Sequence, residues 1–383
     1  MSSYLSLDHQ AGSPLSDGVW EAMMPFLVDP ANAASLHREG VRAREALGTA
    51  RERLAALIGA ASPEEIVFTS SGTESVNLAI LGYARANRHR GNHLLLGATE
   101  RRSVFLAAAA LVREGFTSTV VPVDGDGRVS PAALLAAVRP ETLLAAVHWA
   151  NHEIGTIEPV AELAARCAER NLAFFSDASA AVGWMPVDVS RAPVTLLSLS
   201  ARRFGGPPGA GALYVRRGTE IEPLLYGGEQ EGGRRAGTEN LPALVGLGAA
   251  AAEIAVALPE RVEHLAALQL DFLDDLRATV PGLLLNGPEP GPLRSVQNLN
   301  ASIQGLDGEA LALLCDMRGL AIASGAACVS RDRRTSHVLA AIGLPPERSR
   351  SNALFTLGPS TTRQEIDAAC AIVGKAAAKL REA

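Results

Sequence analysis

Short apolar runs alternate with amphipathic stretches from about residue 48 to residue 215. The runs that predict strands are EIVFTS (65–70), HLLLG (93–97), STVVPV (118–123), TLLAAVHWA (142–150), LAFFSDAS (172–179), VTLLSLS (194–200) and GALYV (211–215). Between them, apolar residues recur with helical spacing at 73–86, 103–115 and 160–171. Strands that alternate with helices predict βαβ units and a mostly parallel sheet.

The second half of the chain has a different order of elements. Residues 240–280 predict two successive helices, and the second, beginning at Pro259, leads the chain away from the sheet. Beyond it, SVQNLNASI, GEALALLCDMRG, LAIASG, SNALFTLG and a final helix from Thr362 predict a smaller α/β domain. We find no internal repeat or low-complexity tail in the sequence.

Length and composition narrow the class of protein. The 383 residues, 48% hydrophobic and 20% charged, suit a globular chain with a large and a small domain. A net charge of −6 argues against nucleic-acid binding. Because we find neither a signal peptide nor a membrane-spanning run, we expect a cytoplasmic protein without a membrane partner. The cysteines are too widely spaced to predict a metal site or a disulfide framework: Cys167, Cys315, Cys328 and Cys370.

Polar residues follow several predicted strands, at the edge where open parallel sheets bind ligands. The segment from Ser71 to Glu74 opens a helix, so it predicts either a phosphate seat or an ordinary helix N-cap. Asp177 ends another strand, and a buried carboxylate there needs a cationic or ring-nitrogen partner. Arg202 and Arg203 follow a third strand, and Thr238 ends a Gly-rich loop.

In their sequence order these segments resemble the cysteine desulfurases, the class V branch of the aminotransferase-like enzymes that use pyridoxal phosphate (PLP). The similarity covers nearly the whole chain and includes EEIVFTSSGTESVNLAI, HWANHEIGTIEPV, FSDASAAVG, SLSARRFGGPPGAGALYV, GGEQEGGRRAGTENLPALVGLG and ASGAACVS. It implies an α/β, PLP-dependent transferase type I fold. The large domain, residues 13–258, would hold a mostly parallel seven-stranded sheet, and residues 1–12 and 259–383 would form the small domain. The resemblance also implies a homodimer with its site at the subunit interface.

The resemblance assigns roles to residues that match the family's motifs. Three of them match its phosphate-binding cup: Gly72, Thr73 and Ser200. Thr238 matches the residue that the other subunit lends to the cup, and Asp177 matches the carboxylate that pairs with the pyridine nitrogen. Cys328 matches the cysteine that takes the substrate sulfur as a persulfide and is the candidate catalytic residue; an inherited cysteine without a role is the alternative.

Six positions depart from the family's pattern, and they cluster on the parts that act on the substrate. Arg203 stands where the resemblance implies the Schiff-base lysine, and Arg202 replaces the histidine before it. The other departures are Arg101 for a ring-stacking histidine, His152 for an asparagine, Ala180 for a glutamine and Leu354 for a carboxylate-binding arginine.

Arginine cannot replace the lysine, because its guanidinium stays protonated at neutral pH. The only lysines are Lys375 and Lys379, on the final predicted helix. We therefore expect ordinary desulfurase activity to be lost, so that whether the chain is an enzyme stays open. The cofactor is unassigned, and PLP would be held only noncovalently.

Arg101, Arg202 and Arg203 are expected to converge on one pocket, together with His152. The pocket then binds an anionic or noncovalent phosphate ligand, or an arginine–aspartate pair simply fills it. Two other functions stay open. The chain takes part in sulfur relay or iron–sulfur chemistry through Cys328, or it is a non-catalytic dimeric scaffold for a sulfur-acceptor or iron–sulfur assembly protein.

Overall fold

A computed structural model of the protein describes residues 4–324 and 335–382. The strands in these ranges are β1 (Leu5–Ser6), β2 (Ile66–Thr69), β3 (His93–Gly97), β4 (Thr117–Val121), β5 (Thr142–Ala146), β6 (Ala173–Asp177), β7 (Leu196–Ser200), β8 (Gly211–Val215), β9 (Leu283–Leu285), β10 (Asn298–Ile303), β11 (Leu320–Ala321) and β12 (Asn352–Thr356). Seven of them form the main sheet, in the order β2-β8-β7-β6-β5-β3-β4.

The main sheet is parallel except at β8, which runs antiparallel to β2 and β7. Every residue of β2, β3, β6, β7 and β8 is buried, as expected for strands covered on both faces. The predicted α/β fold with a mostly parallel seven-stranded sheet is confirmed. Because β2, β3, β5, β6 and β7 point the same way, their carboxyl ends share one edge.

Helices cover the sheet and continue the chain beyond it. They are α1 (Asp17–Val28), α2 (Arg38–Ile58), α3 (Gly72–Asn77), α4 (Tyr83–Ala86), α5 (Arg102–Val112), α6 (Pro131–Ala136), α7 (Val160–Ala168), α8 (Leu241–Thr279), α9 (Gly308–Asp316), α10 (His337–Ala341), α11 (Pro346–Arg350) and α12 (Arg363–Arg381). A π-helical turn, Leu78–Gly82, joins α3 to α4, so that the chain is helical from Gly72 to Ala86.

The region predicted as two helices is one helix, α8, of 39 residues. Pro259 lies inside it without ending it, although proline removes one backbone hydrogen bond. The first half of α8 packs on α1 and α2, and α12 also contacts it. The helix is long and apolar enough to cross a membrane, but 56% of its most apolar stretch is buried, as in a core helix.

A second group of elements follows α8 along the chain. Strands β12, β10 and β9 form an antiparallel sheet, and β1 pairs with β11. Their apolar side chains form one core with the second half of α8 and with α12, including Leu7, Phe272 and Phe355. The main sheet has separate apolar clusters on its two faces. The division at residues 12 and 258 stays a prediction.

The contact between α2 and α8 depends on a missing side chain. Gly248 faces Ala50 so closely that a Cβ on residue 248 would lie 2.5 Å from Ala50 Cα. Both residues are buried, and the neighbouring atom is backbone, which cannot turn away. Glycine at position 248 therefore allows the two helices to approach.

We predict that Gly248→Ala lowers the free energy of unfolding by about 1–3 kcal/mol, because overpacking outweighs the better helix propensity of alanine. Gly48→Ala is the matched control, since Gly48 lies in α2 and a Cβ there would meet nothing within 4 Å. It should raise the stability by about 0.5–1 kcal/mol. Urea unfolding measures both variants, and equal effects would contradict the packing account.

Candidate active site at the carboxyl edge of the main sheet

A small cavity of about 60 Å³ lies at the carboxyl edge of the main sheet. Its walls come from the ends of β2, β6 and β7 and from the start of α5. The lining residues are Ser71, Gly72, Thr73, Arg101, Ser103, Asp177, Ser179, Ser200, Arg202 and Arg203. Hydroxyl groups, one carboxylate and three arginines therefore surround a space of a few atoms.

The turn from β2 into α3 forms one wall of the cavity. Ser71 caps the helix, because its Oγ accepts a hydrogen bond of 3.2 Å from the backbone N–H of Glu74. Gly72 is packed tightly, and a Cβ there would lie 2.9 Å from Ser179 Oγ and 3.1 Å from Ser200 Cβ. The N-cap that the sequence predicted is thus present, and the same turn lines the cavity.

Glu74 links this turn to the Gly-rich loop near residue 230. Its Oε2 accepts from the backbone N–H of Ser70 at 2.7 Å, and its Oε1 accepts from Arg235 Nε at 2.8 Å. The Arg235 contact lowers the pKa of Glu74 against the opposing effect of burial, which is the largest influence. Thr238, three residues beyond Arg235, is exposed and does not line the cavity of its own chain.

Asp177 lines the cavity and is held by hydrogen bonds from residues close to it. Its Oδ1 accepts hydrogen bonds from the Ser179 backbone N–H at 2.9 Å and from Ser198 Oγ at 3.0 Å. Its other oxygen, Oδ2, lies 3.7 Å from Arg101 Nε. Because Oδ1 is fully engaged, Oδ2 is the oxygen that remains to meet a ligand.

Arg203 is 7% exposed and forms part of the short helical turn after β7. Its carbonyl oxygen accepts from Trp184 Nε1 at 3.1 Å and from Ser13 Oγ at 3.3 Å, which fixes the backbone. Burial lowers the pKa of the guanidinium well below its usual range, and the Arg101 and Arg202 cations lower it further.

The other positions that depart from the family pattern do not line the cavity. Burial lowers the pKa of His152 well below its usual value, and the Arg101 and Arg203 cations lower it further. Ala180 is buried next to Ser179, and Leu354 is 1% exposed on β12. Cys328 lies outside the described residues.

A network of buried titratable side chains lies beside this edge, and sequence patterns did not reveal it. Glu100 Oε1 accepts from His148 Nδ1 at 3.0 Å, and His148 Nε2 is 3.8 Å from Glu158 Oε1. These carboxylates raise the pKa of His148 against its burial, while burial raises the pKa of Glu158 to about 7. Two features of the sequence could have indicated this network: Glu100 lies just before Arg101, and His148 follows the apolar strand β5.

Glu153 is a further buried carboxylate, and among the described residues its side chain is held by Ser336 and not by an arginine. Its Oε2 accepts from Ser336 Oγ at 2.8 Å, and burial raises its pKa to about 7. Its backbone carbonyl accepts from Asn298 Nδ2 and Asn300 Nδ2, at 3.1 and 3.0 Å. Glu153 therefore joins the strand end after β5 to the second group of elements.

Comparison with known proteins places this geometry in a family. The sequence model of the aminotransferase class-V family matches residues 5–368. A protein of Dictyoglomus turgidum named cysteine desulfurase IscS is 40% identical over 98% of this chain and 95% of its own length. The chain belongs to the cysteine desulfurase family.

Solved structures agree with the assignment to the cysteine desulfurase family. A NifS-like protein is 29% identical, has a TM-score of 0.92, and covers 98% of this chain and 100% of its own. A structure described as SspA in complex with cysteine is 32% identical, with a TM-score of 0.81 over 94% of this chain and 100% of that one. The family resemblance that the motifs predicted is confirmed.

The prediction that desulfurase activity has been lost is wrong. Relatives about 40% identical over nearly the full chain carry the name cysteine desulfurase, which points to an active enzyme. That prediction, with its relay and scaffold alternatives, gave a few positions such as Arg203 and Leu354 more weight than similarity along the whole chain.

The described residues fit two parts of PLP. The buried Ser179 Oγ has no hydrogen-bond partner among them, and with Gly72 and Ser200 it offers a cradle for a phosphate group. Asp177 Oδ2 offers a carboxylate for the ring nitrogen. The cavity is smaller than usual ligand pockets of roughly 300 Å³ and more, so binding of the PLP ring requires the cavity to widen. None of the described residues that line the cavity is a lysine.

The raised pKa of Glu153 predicts how stability depends on pH. An unfolded glutamate titrates near ~4.3, whereas folded Glu153 keeps its proton up to about pH 7. The stability that this proton provides is therefore complete below the unfolded pKa and is lost as the pH rises through 7. Glu153→Gln, which stays neutral, should reduce the loss of stability between pH 5 and pH 8 by about 2 kcal/mol.

Urea unfolding at the two pH values measures this difference. Glu162→Gln, which changes an exposed glutamate on α7, is the matched control and should leave the pH dependence of wild type unchanged. The same pH dependence in wild type and in Glu153→Gln would contradict the prediction.

Proposed function

We propose that the chain is an enzyme that removes sulfur from cysteine and uses PLP held without a covalent bond to the protein. The cavity geometry carries the proposal, because a hydroxyl-lined turn faces a buried carboxylate across the sheet edge. The names of its relatives and the cysteine in the SspA structure support the choice of substrate.

The phosphate end of the cofactor would be held by the β2–α3 turn. Thr73 and Ser200 supply hydroxyls, Ser179 supplies the buried Oγ, and Gly72 keeps the backbone close. Backbone N–H groups at the start of the helical stretch 72–86 add to the attraction for an anion. Asp177 would stabilise the protonated ring nitrogen through Oδ2. When bound, PLP supplies an electron-withdrawing ring for bond cleavage at the amino acid.

The absence of an amine in the cavity determines how the cofactor is held. Arg203 cannot supply one, and Lys375 and Lys379 are exposed on α12. We therefore propose that hydrogen bonds and charge alone retain PLP, which makes its binding reversible by dialysis. Arg203 standing in place of the family's lysine is part of this proposal.

His152 is proposed as a neutral hydrogen-bonding group for the cofactor. Burial and the neighbouring arginine cations lower its pKa, so the imidazole stays neutral at pH 7. Cys328 is proposed as the thiol that takes the sulfur atom from cysteine as a persulfide. A thiol reductant would then release that sulfur as sulfide.

A homodimer would complete the phosphate cup. Thr238 is exposed in its own chain, and Tyr226 and Leu225, earlier in the same segment, have exposed side chains, 74% and 46% accessible. Burial of these side chains against a second copy would bring Thr238 to that copy's cavity. The cytoplasmic location and a sulfur-acceptor or iron–sulfur assembly partner also remain proposals.

Turnover of cysteine tests the proposed activity. With PLP and a thiol reductant, the chain should form alanine and sulfide in equal amounts, and dialysis against PLP-free buffer should abolish the reaction until PLP is restored. Asp177→Asn should lower kcat at least about tenfold, because it removes the charge beside the ring nitrogen. Asp274→Asn, on the exposed face of α8, is the control. No alanine at any PLP concentration would contradict the proposal.

Mixed dimers test the origin of Thr238. Thr238→Ala and Asp177→Asn each impair every site in their own homodimers. If Thr238 serves the partner's cavity, each mixed dimer has one intact site, so a one-to-one mixture after subunit exchange should recover about a quarter of wild-type activity. If Thr238 serves its own chain, both sites of a mixed dimer remain impaired, and no recovery would contradict the shared site.

A further inference from the structure

Arg203 is a buried cation that the carboxylates of Asp177 and Asp8 attract without a close contact in the described part of the chain. Its side chain is 7% exposed, lines the cavity, and makes no ion pair or hydrogen bond with residues 4–324 or 335–382. Burying a charge without a partner is costly, and an arginine in such a position is usually paired with an anion. The guanidinium therefore has free N–H donors next to the space that a ligand would occupy.

The surrounding groups determine which anion fits. The phosphate cradle of Ser179, Ser200 and Gly72 is built from hydroxyls and backbone, on the β2–α3 side. Arg101 is partly engaged, with its Nε 3.7 Å from Asp177 Oδ2. Arg203 alone combines deep burial with an unengaged planar fork of donors, the geometry that matches the two oxygens of a carboxylate.

We propose that Arg203 binds the α-carboxylate of the amino-acid substrate. This inference rests on the proposed function, because it names how cysteine is recognised in the same cavity. Leu354, where the family resemblance implied a carboxylate-binding arginine, is buried and uncharged, so it cannot perform this role. The substrate class is accordingly a small amino acid with a free carboxylate, and cysteamine or a cysteine ester is excluded.

The small size of the cavity agrees with this role. In the PLP-free protein, about 60 Å³ accommodates a group of a few atoms, such as a carboxylate. A bound carboxylate would also oppose the effects of burial and of the neighbouring cations, which together lower the pKa of Arg203. Substrate binding and neutralisation of the buried cation are thus one event.

Binding of 3-mercaptopropionate to the PLP-free protein tests the assignment. This probe has the thiol and the carboxylate of cysteine but no amine, and isothermal titration calorimetry in phosphate buffer keeps the phosphate cradle filled. Arg203→Gln should weaken its affinity at least about tenfold, the loss expected for a charge-assisted pair. Arg203→Lys, which retains the charge, should recover part of that loss, and the methyl ester of the probe should bind weakly to wild type.

Arg102→Gln is the matched control, since Arg102 is exposed at the start of α5 and does not line the cavity. It should bind the probe as wild type does. Thermal unfolding should show Arg203→Gln at least as stable as wild type, because the substitution removes an unpaired buried charge. Equal probe affinity in Arg203→Gln and wild type would overturn the inference, as would probe binding that phosphate abolishes.

The two proposals fail separately. A chain that binds the probe through Arg203 but forms no alanine from cysteine would contradict only the proposed function. A chain that forms alanine, with Arg203→Gln leaving both probe affinity and the KM for cysteine unchanged, would contradict only the carboxylate assignment.

Discussion

The buried charges of Asp177 and Arg203, at the carboxyl edge of the main sheet, limit which ligands the cavity can bind. Asp177 and Arg203 are both buried there, yet the carboxylate is held by Ser179 and Ser198, and the guanidinium makes no hydrogen bond with the described residues, although Asp177 and Asp8 attract it. A low-dielectric setting strengthens each charge interaction and raises the cost of leaving a charge unmatched. The phosphate and the substrate carboxylate of the proposed function would supply negative charge at this site.

The parallel main sheet brings the residues of the cavity together. Parallel strands bring their carboxyl ends to one edge, so residues far apart in sequence, such as Gly72, Asp177 and Arg203, meet in one cavity. The backbone of Arg203 is held by hydrogen bonds from Trp184 and Ser13, and its side chain lines the cavity. Glu74 and Arg235 link the Gly-rich loop to the same turn, and Thr238 in that loop is exposed.

Periodicity and strand-end residues predicted much of this structure. The apolar runs match β3 and β8 residue for residue, and the polar residues after β2, β6 and β7 line the cavity. The break predicted at Pro259 was wrong, because packing on both sides of α8 outweighs the loss of one hydrogen bond. The network of Glu100, His148 and Glu158 was missed, since local patterns carry no signal for contacts between separate strand ends.

Function was harder to predict than fold. The prediction of lost activity rested on substitutions at a few functional positions, whereas similarity to cysteine desulfurases extends along nearly the whole chain. Arg203 rules out one way of holding the cofactor, a covalent bond to an amine, and that is a narrower conclusion than loss of activity.

The central claim is that hydrogen bonds and charge alone hold PLP in this cavity. Equilibrium dialysis with PLP, followed by borohydride reduction and peptide mass spectrometry, tests it directly. The account predicts bound PLP with no adduct on any cavity residue, whereas exposed Lys375 and Lys379 serve as reactive controls. An adduct on the peptide that contains Arg203, or no binding of PLP at all, would contradict it.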